Sequence, residues 1–293
     1  MSLQHLESNI NYQAILSRRS TRRYEPDPLT DMEKAQVLKI LSQTTALSNN
    51  NHFEVKMFDA LEKDDLIEKL GGYGRILSPP HYLLPSINGT DNPLVDLGNQ
   101  VEQIAVRLNA IGIATCFVGA VGRETKVREL FHLPESTRIG AFLIFGKEDK
   151  NLAGKTINTV IRSAAGAGKK HPIEKIFFLN DFDHPEKPPA HLFPVIEAAR
   201  KSPSAVNAQP WRLLWHQETL WVFVTRNNAR YGSETSKPIY ALYDGGISIG
   251  NMILAMQALK IEGQWELIND EGENCPQCPD DLQPIAKLNF FQP

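Results

Sequence analysis

The sequence predicts an α+β fold built from two similar halves. Three observations carry this. Each half reads helix, loop, strand, then a long apolar helix and more strand. A helix–polar loop–strand unit occurs twice, with Asn207 falling 158 residues after Asn49. A long apolar helix that opens on Asp-x-Gly also occurs twice, with Asp244 falling 148 residues after Asp96. Two matched units in the same order point to a pseudo-twofold arrangement of two lobes.

The first helix of the repeat is expected from Leu29 to Thr44. Thr30 stands at its start with Glu33 three residues on, the spacing of a capping box, and Val37, Leu38 and Leu41 recur at helical spacing. The polar loop "TTALSNNN" follows, and "HFEVKMF" then alternates like a strand. In the second half the matching pieces are "FPVIEAARKS", "SPSAVNAQPW" and "WRLLWH". Asn49, Asn51 and Phe53 align with Asn207, Gln209 and Trp211. "DLGNQVEQIAVRLNAIGI" and "DGGISIGNMILAMQALKI" are the two long helices, and the second is apolar nearly all round, so it should be buried. Each runs into a short extended segment, "ATCFVG" or "GQWELI", and "RIGAFLIFG" is a further strand. The stretch from Lys147 to Pro189 is a crossover with the small-residue run "AAGAGKK", and "HPIEKIFF" is open to a short helix. The first half is expected over residues 1–180 and the second over 181–293, packed as one unit.

Composition narrows the function. The chain has 293 residues and a net charge of −3, so no global basic field attracts nucleic acid. No apolar run reaches the length of a membrane span, and the N-terminal stretch has no apolar signal-peptide core. Three cysteines are too few and too odd in number for a disulfide framework, which fits a reducing cytoplasm. Cys275 and Cys278 form a lone pair that cannot make a four-cysteine zinc site, and no metal site is expected. The four tryptophans are expected in the core or at interfaces.

Two motifs carry chemistry. "RRSTRRY", Arg18 to Tyr24, sets four arginines beside a Ser and a Thr. It reads as an anion site, because guanidinium forks and hydroxyls suit phosphate oxygens, or as a solvated basic patch. "SPSAVNAQPW" sets Ser204, Asn207 and Gln209 between two prolines that stiffen the loop. It reads as a preorganised ligand loop or as a turn satisfying its own backbone. The turn reading accounts for the Ser and Asn better than for Gln-Pro-Trp.

These motifs, with "DLGNQVEQIAVRLNAIGIATCFVG", resemble the nitroreductase family of flavin enzymes, and the duplication resembles its fused single-chain members. The resemblance implies a nitroreductase-like fold in which one polypeptide imitates the family homodimer. It also implies one FMN between the halves, because "RRSTR" is kept only in the first half and the Pro-Ser-x-x-Asn-x-Gln-Pro-Trp loop only in the second. By the resemblance, Arg18, Arg19 and Ser20 hold the phosphate end and ribityl chain, and Arg22 lies near N1 and the C2 carbonyl. Pro203, Ser204, Asn207 and Gln209 grip the cofactor from the other half, and Lys169 and Lys170 add phosphate contacts. The backbone from Cys116 through Val118 to Gly119 lies near N5. No side chain is required as a catalytic nucleophile.

The implied activity is ping-pong hydride transfer from NADH or NADPH through flavin N5 to a small organic acceptor such as a nitroaromatic or quinone, in a chain that acts as a monomer. The alternatives are a flavin-binding or flavin-less scaffold acting as a sensor or interaction module, and other flavin chemistry such as reductive dehalogenation.

Overall fold

The structure, a computed structural model of the chain, describes residues 3–59, 79–151, 169–269 and 275–291. The expected small-residue crossover "AAGAGKK" lies outside the described residues except for Lys169 and Lys170.

The chain opens with α1, Leu3–Ser17, and α2, Asp31–Leu41. The capping box forms as the spacing predicts: the Glu33 backbone N–H donates to Thr30 Oγ1 and the Thr30 N–H to Glu33 Oε2. The helix stops short of Thr44 because the next residues are used elsewhere. Thr44 Oγ1 donates to Gln100 Oε1 and the Thr45 N–H to Gln103 Oε1, tying the polar loop to a later helix.

Strands β1, Asn51–Asp59, β2, His81–Gly89, β3, Ala114–Gly119, and β4, Ala141–Gly146, form an antiparallel sheet in the order β1-β2-β4-β3. Helix α3, Pro93–Ala110, precedes β3, and α4, Glu124–Phe131, links β3 to β4. The second sheet has the order β5-β6-β7-β9-β8. Its strands are β5, Phe177–Leu179, β6, Trp211–His216, β7, Thr219–Thr225, β8, Gly263–Leu267, and β9, Leu282–Phe290. Only β5–β6 is parallel. The segment "HPIEKIFF" is one helical turn, Ile173–Lys175, followed by β5 rather than a continuous short helix. Helix α5, Phe193–Lys201, leads into the Ser-Asn loop, and α6, Lys237–Leu259, is buried over most of its length, as its all-round apolar character predicts.

The two long helices cross at backbone contact. A Cβ on Gly98 would collide with the Tyr243 carbonyl, and one on Gly246 with the Val95 carbonyl. The contact is reciprocal at the 148-residue spacing: Gly98 corresponds to Gly246 and Val95 to Tyr243. The cores interlock the same way. Val95 of α3 packs among the residues of the second sheet, while Tyr243 and Ile247 of α6 pack among those of the first. Neither half encloses its core alone.

The loops follow the same rule. Asp96 Oδ1 accepts the Leu47 N–H at 2.9 Å, and Asp244 Oδ2 accepts the Ala205 N–H at 2.9 Å. Leu47 and Ala205 are 158 residues apart, the loop spacing. Neither Asp-x-Gly opens its helix as the sequence predicts, since α3 begins at Pro93 and α6 at Lys237, but both serve the crossing. The aspartate anchors the loop and the glycine admits the other helix.

Candidate active site

The arginine segment lies alongside β3. The Thr21 N–H donates to the Thr115 carbonyl, and Tyr24 bridges to Glu148 beyond β4. This puts Ser20 and Arg22 next to Cys116: burial pushes the Cys116 thiol up, against Arg22, Ser20 and Arg18, which all pull it down. Arg22 and Ser20 are half-buried, and the Cys116 side chain is enclosed.

Arg18 turns toward the helix crossing. Its side chain is 4% exposed, and Nε lies 3.5 Å from Oε1 of Glu102, which is wholly buried on α3. Nη1 is buried without a hydrogen-bond partner among the described residues. Lys170 reaches the same place from the other direction, donating from Nζ to the Ser202 carbonyl at 2.5 Å. Burial lowers Lys170 to about 8, and repulsion by Arg18 adds to the effect while Glu102 opposes it. Burial raises Glu102 to about 7, against the pull of Arg18 and Lys170.

Ser202 opens the Ser-Asn loop, so cations from residues 18 and 170 converge on its entrance. The loop is held in a costly conformation. Val206, Asn207 and Gln209 all have positive φ, at 47°, 53° and 50°. For a β-branched valine this is a genuine outlier, the kind of strain kept at ligand sites. Internal bonds fix it. Ser204 Oγ accepts the Gln209 N–H, Asn207 Nδ2 and Gln209 Nε2 both donate to the Lys169 carbonyl, and Gln209 Oε1 accepts the His171 N–H. Two of the expected ligand contacts, the Asn207 and Gln209 amides, thus brace the segment that carries Lys170. Pro203 and Ser204 stay half-buried at the loop's open side.

The end of β3 faces the other half. A Cβ on Gly119 would lie 2.8 Å from the Tyr240 hydroxyl, and Val118 beside it is half-buried. Tyr240 stacks on Tyr231 at 5.4 Å, and Tyr231 donates to Asp244 Oδ2 at 2.7 Å. Burial raises Asp244 to about 7 despite the Tyr231 and Ala205 bonds.

Two residues expected at the cofactor make other bonds here. Arg19 is more than half exposed and makes a bidentate bond to Glu148. It lines a groove of about 520 Å³ with Glu33, Lys147 and Lys150, to which no residue of the Ser-Asn loop contributes. The Lys169 side chain is exposed, and only its carbonyl joins the loop.

Three residues that sequence reasoning passed over belong to the cluster: Glu102, Asn251 and Arg230. Asn251 Nδ2 donates to Ser202 Oγ, and Arg230 Nη1 to the Asn207 carbonyl. The available signal was the polar run of α3. Asn99, Gln100, Glu102 and Gln103 are all buried on that helix, but their partners, Thr44, Thr45 and Arg18, come from distant segments that the sequence does not bring together.

The comparisons with known proteins agree with this architecture. The sequence profile of the family described as "Putative TM nitroreductase" matches residues 10–237. A Thermotoga maritima protein of known structure, described in similar terms, is 17% identical and superposes over 95% of this chain and 92% of its own with a TM-score of 0.56, so the two share a fold. Nitroreductase A of Vibrio parahaemolyticus is 20% identical over 49% of this chain and 70% of its own, with a TM-score of 0.43. The NADPH:FMN oxidoreductase of Vibrio harveyi is 16% identical over 53% and 86%, with a TM-score of 0.42. No curated protein is significantly similar. The profile match over more than three-quarters of the chain, on this α+β fold, makes the protein a member of the nitroreductase family of oxidoreductases.

Proposed function

We propose that the chain is an FMN-dependent oxidoreductase with one cofactor site between two homologous halves, approximately residues 1–180 and 181–293, and that it works as a monomer. The observation that carries the reading is the unspent buried donor: Arg18 Nη1 has no partner among the described residues, and Lys170 stands beside it at the mouth of the Ser-Asn loop. Two cations brought together from distant sequence positions, one with a desolvated N–H unsatisfied, suit a phosphate. One structural neighbour, the Vibrio harveyi oxidoreductase, is named for NADPH and FMN.

Under this reading Arg18 and Lys170 hold the phosphate end. Ser20 and Arg22 would hold the ribityl and pyrimidine portions of the cofactor, and a fixed cation there would stabilise charge gained on reduction. Pro203 and Ser204 from the second half, and the Val118–Gly119 backbone with Tyr240 behind it, would contact the ring. When bound, FMN supplies the relay of a hydride from NADH or NADPH, through N5, to a small acceptor of nitroaromatic or quinone type. The residues of the chain orient the ring and exclude water.

A single site also accounts for the opposite loop. Asp91 accepts from Ser48 Oγ at 2.6 Å and from Asn50 Nδ2 at 2.8 Å, and the Asp91 carbonyl accepts from Asn51. A carboxylate of the chain itself thus sits on the polar donors of the first-half loop, where a ligand anion would compete with it. The deciding experiment is the visible spectrum of the purified protein, with a count of flavin per chain and addition of NADH or NADPH. One flavin per chain that bleaches on addition is the expected result. A colourless protein that takes up no FMN when supplied with it would remove the proposal.

A further inference from the structure

We propose that Glu102 couples anion binding to proton uptake: a phosphate held by Arg18 and Lys170 enters together with a proton that Glu102 takes. This rests on the FMN reading above and concerns the phosphate end of that site.

The geometry poses a charge problem. The Glu102 carboxylate is wholly enclosed, and neither oxygen makes a hydrogen bond of ordinary geometry among the described residues. Its nearest cationic atom is Arg18 Nε, at 3.5 Å. Without a ligand, two cations face one carboxylate. A phosphate dianion would reverse the balance and set two anions against each other across Arg18. In a site with little water that repulsion is large, and protonating Glu102 removes it.

Of the groups around Glu102, Lys170, held at about 8, also titrates in the working range, so the test must separate the two. From the arginine segment there is the Arg18 guanidinium. From the stretch before β5 there is Lys170, with Arg200 and Lys201 of α5 acting on it. From α6 there are Tyr243, whose phenol burial drives well above its ordinary value, and the neutral Asn251. On that helix Gly250 abuts the Glu102 Cβ at 3.2 Å, so no α6 side chain intervenes there. Gly250 also lies 148 residues after Glu102, so the carboxylate belongs to one half alone. Burial already holds Glu102 near 7, where a new negative neighbour shifts it further up.

The test is isothermal titration of the full chain with FMN at about pH 7.5 in two buffers of different ionisation heat, a pH at which the phosphate is mostly dianionic. Wild type should take up a large fraction of a proton per FMN. Lys170→Arg, which fixes the charge at that position, should keep uptake, and adding Glu102→Gln to Lys170→Arg should abolish it. The FMN dissociation constant of Lys170→Arg should rise by up to about tenfold per pH unit above neutrality, and that of the double variant should stay flat. Riboflavin, which has the ring without the phosphate, should bind without proton uptake.

FMN binding with no uptake in wild type, or equal uptake in Lys170→Arg with and without Glu102→Gln, would overturn the role of Glu102 while leaving the cofactor assignment standing. Loss of uptake in Lys170→Arg would give the proton to Lys170 and overturn it equally. If the double variant does not fold, wild type and Lys170→Arg decide between these outcomes. Failure of wild type to bind FMN at any pH would remove the cofactor reading and this proposal together.

Discussion

At the scale of single residues, the two aligned asparagines are no longer equivalent. Asn207 is buried and braces the Lys169 carbonyl, while Asn49 is exposed on the first-half loop. Asn207→Ala should therefore weaken FMN binding, by about 0.5–1.5 kcal/mol for the lost bond and more if the Lys170 segment relaxes. Asn49→Ala should leave binding unchanged. Fluorescence titration of FMN checks both, and equal effects would contradict a one-sided site. The motif singled out Asn207 without showing the bond it makes to the Lys169 carbonyl. A ligand loop and a self-satisfied turn are the same residues until the partner is seen, and here the amides satisfy backbone so that a lysine can be aimed. Glu102 was illegible for the opposite reason. A glutamate on a long helix looks like a solvated face unless the two segments that bury it, nearly 70 and more than 80 residues away in sequence, are known to meet there.

At the scale of elements, legibility followed locality. The capping box of α2 and the whole of β3 depend on neighbours in sequence and were readable. Strands β2 and β9 were hidden by prolines that tertiary context excuses. Pro85 pairs with Val55 of β1, but the β2–β4 ladder covers only His81 to Leu83, so no bond to β4 is lost there. Pro284 sits where β9 slips register against Val222 and Phe223, at a bulge.

The same long-range logic makes the helix crossing vulnerable. Gly246→Ala would drive a methyl into the Val95 carbonyl and Gly98→Ala one into the Tyr243 carbonyl. Each should cost about 1–3 kcal/mol, the range for overpacking, and the two should be similar because the contacts are reciprocal. Urea unfolding measures both, and a neutral result for either would mean the helices are not in backbone contact.

His81 makes a second element-level device. Its enclosed ring accepts the Leu29 N–H at Nε2, 2.8 Å away, so the proton is on Nδ1 and is donated to Asp59 at 2.6 Å. Burial lowers the ring's pKa more than Asp59 raises it. The unfolded chain therefore takes up the proton first as pH falls, and stability drops from about pH 6.5 downward, being fully present above that. Melting temperatures at about pH 7.5 and 5.5 should differ more in wild type than in His81→Gln, which keeps an acceptor without a charge. Equal differences would assign the acid sensitivity elsewhere.

At the scale of the whole molecule, the reciprocal contacts imply a surface already used up. In the family's homodimers, by the resemblance, two copies supply the two sides of each site. Here the α3–α6 crossing, the exchange of Val95 for Tyr243 and Ile247 between cores, and the paired Asp96 and Asp244 anchors join the halves inside one chain. Joining has a consequence that duplication alone does not. Once both halves lie on one polypeptide, each can change independently. At the 158-residue spacing Ile176 and Phe177 stand where Arg18 and Arg19 do, at the 148-residue spacing Gly250 stands where Glu102 does, and Asp91 accepts from the polar loop that has neither the proline nor the tryptophan of its counterpart. A homodimer cannot do this, since any change is made at both sites. The chain should therefore sediment as a monomer of 32.9 kDa and saturate at one FMN. Analytical ultracentrifugation with absorbance at the flavin band reads both numbers at once. A dimer binding one FMN per pair would mean that the site is completed between chains, and a monomer binding two would mean that the Asp91-closed loop still accepts a ligand.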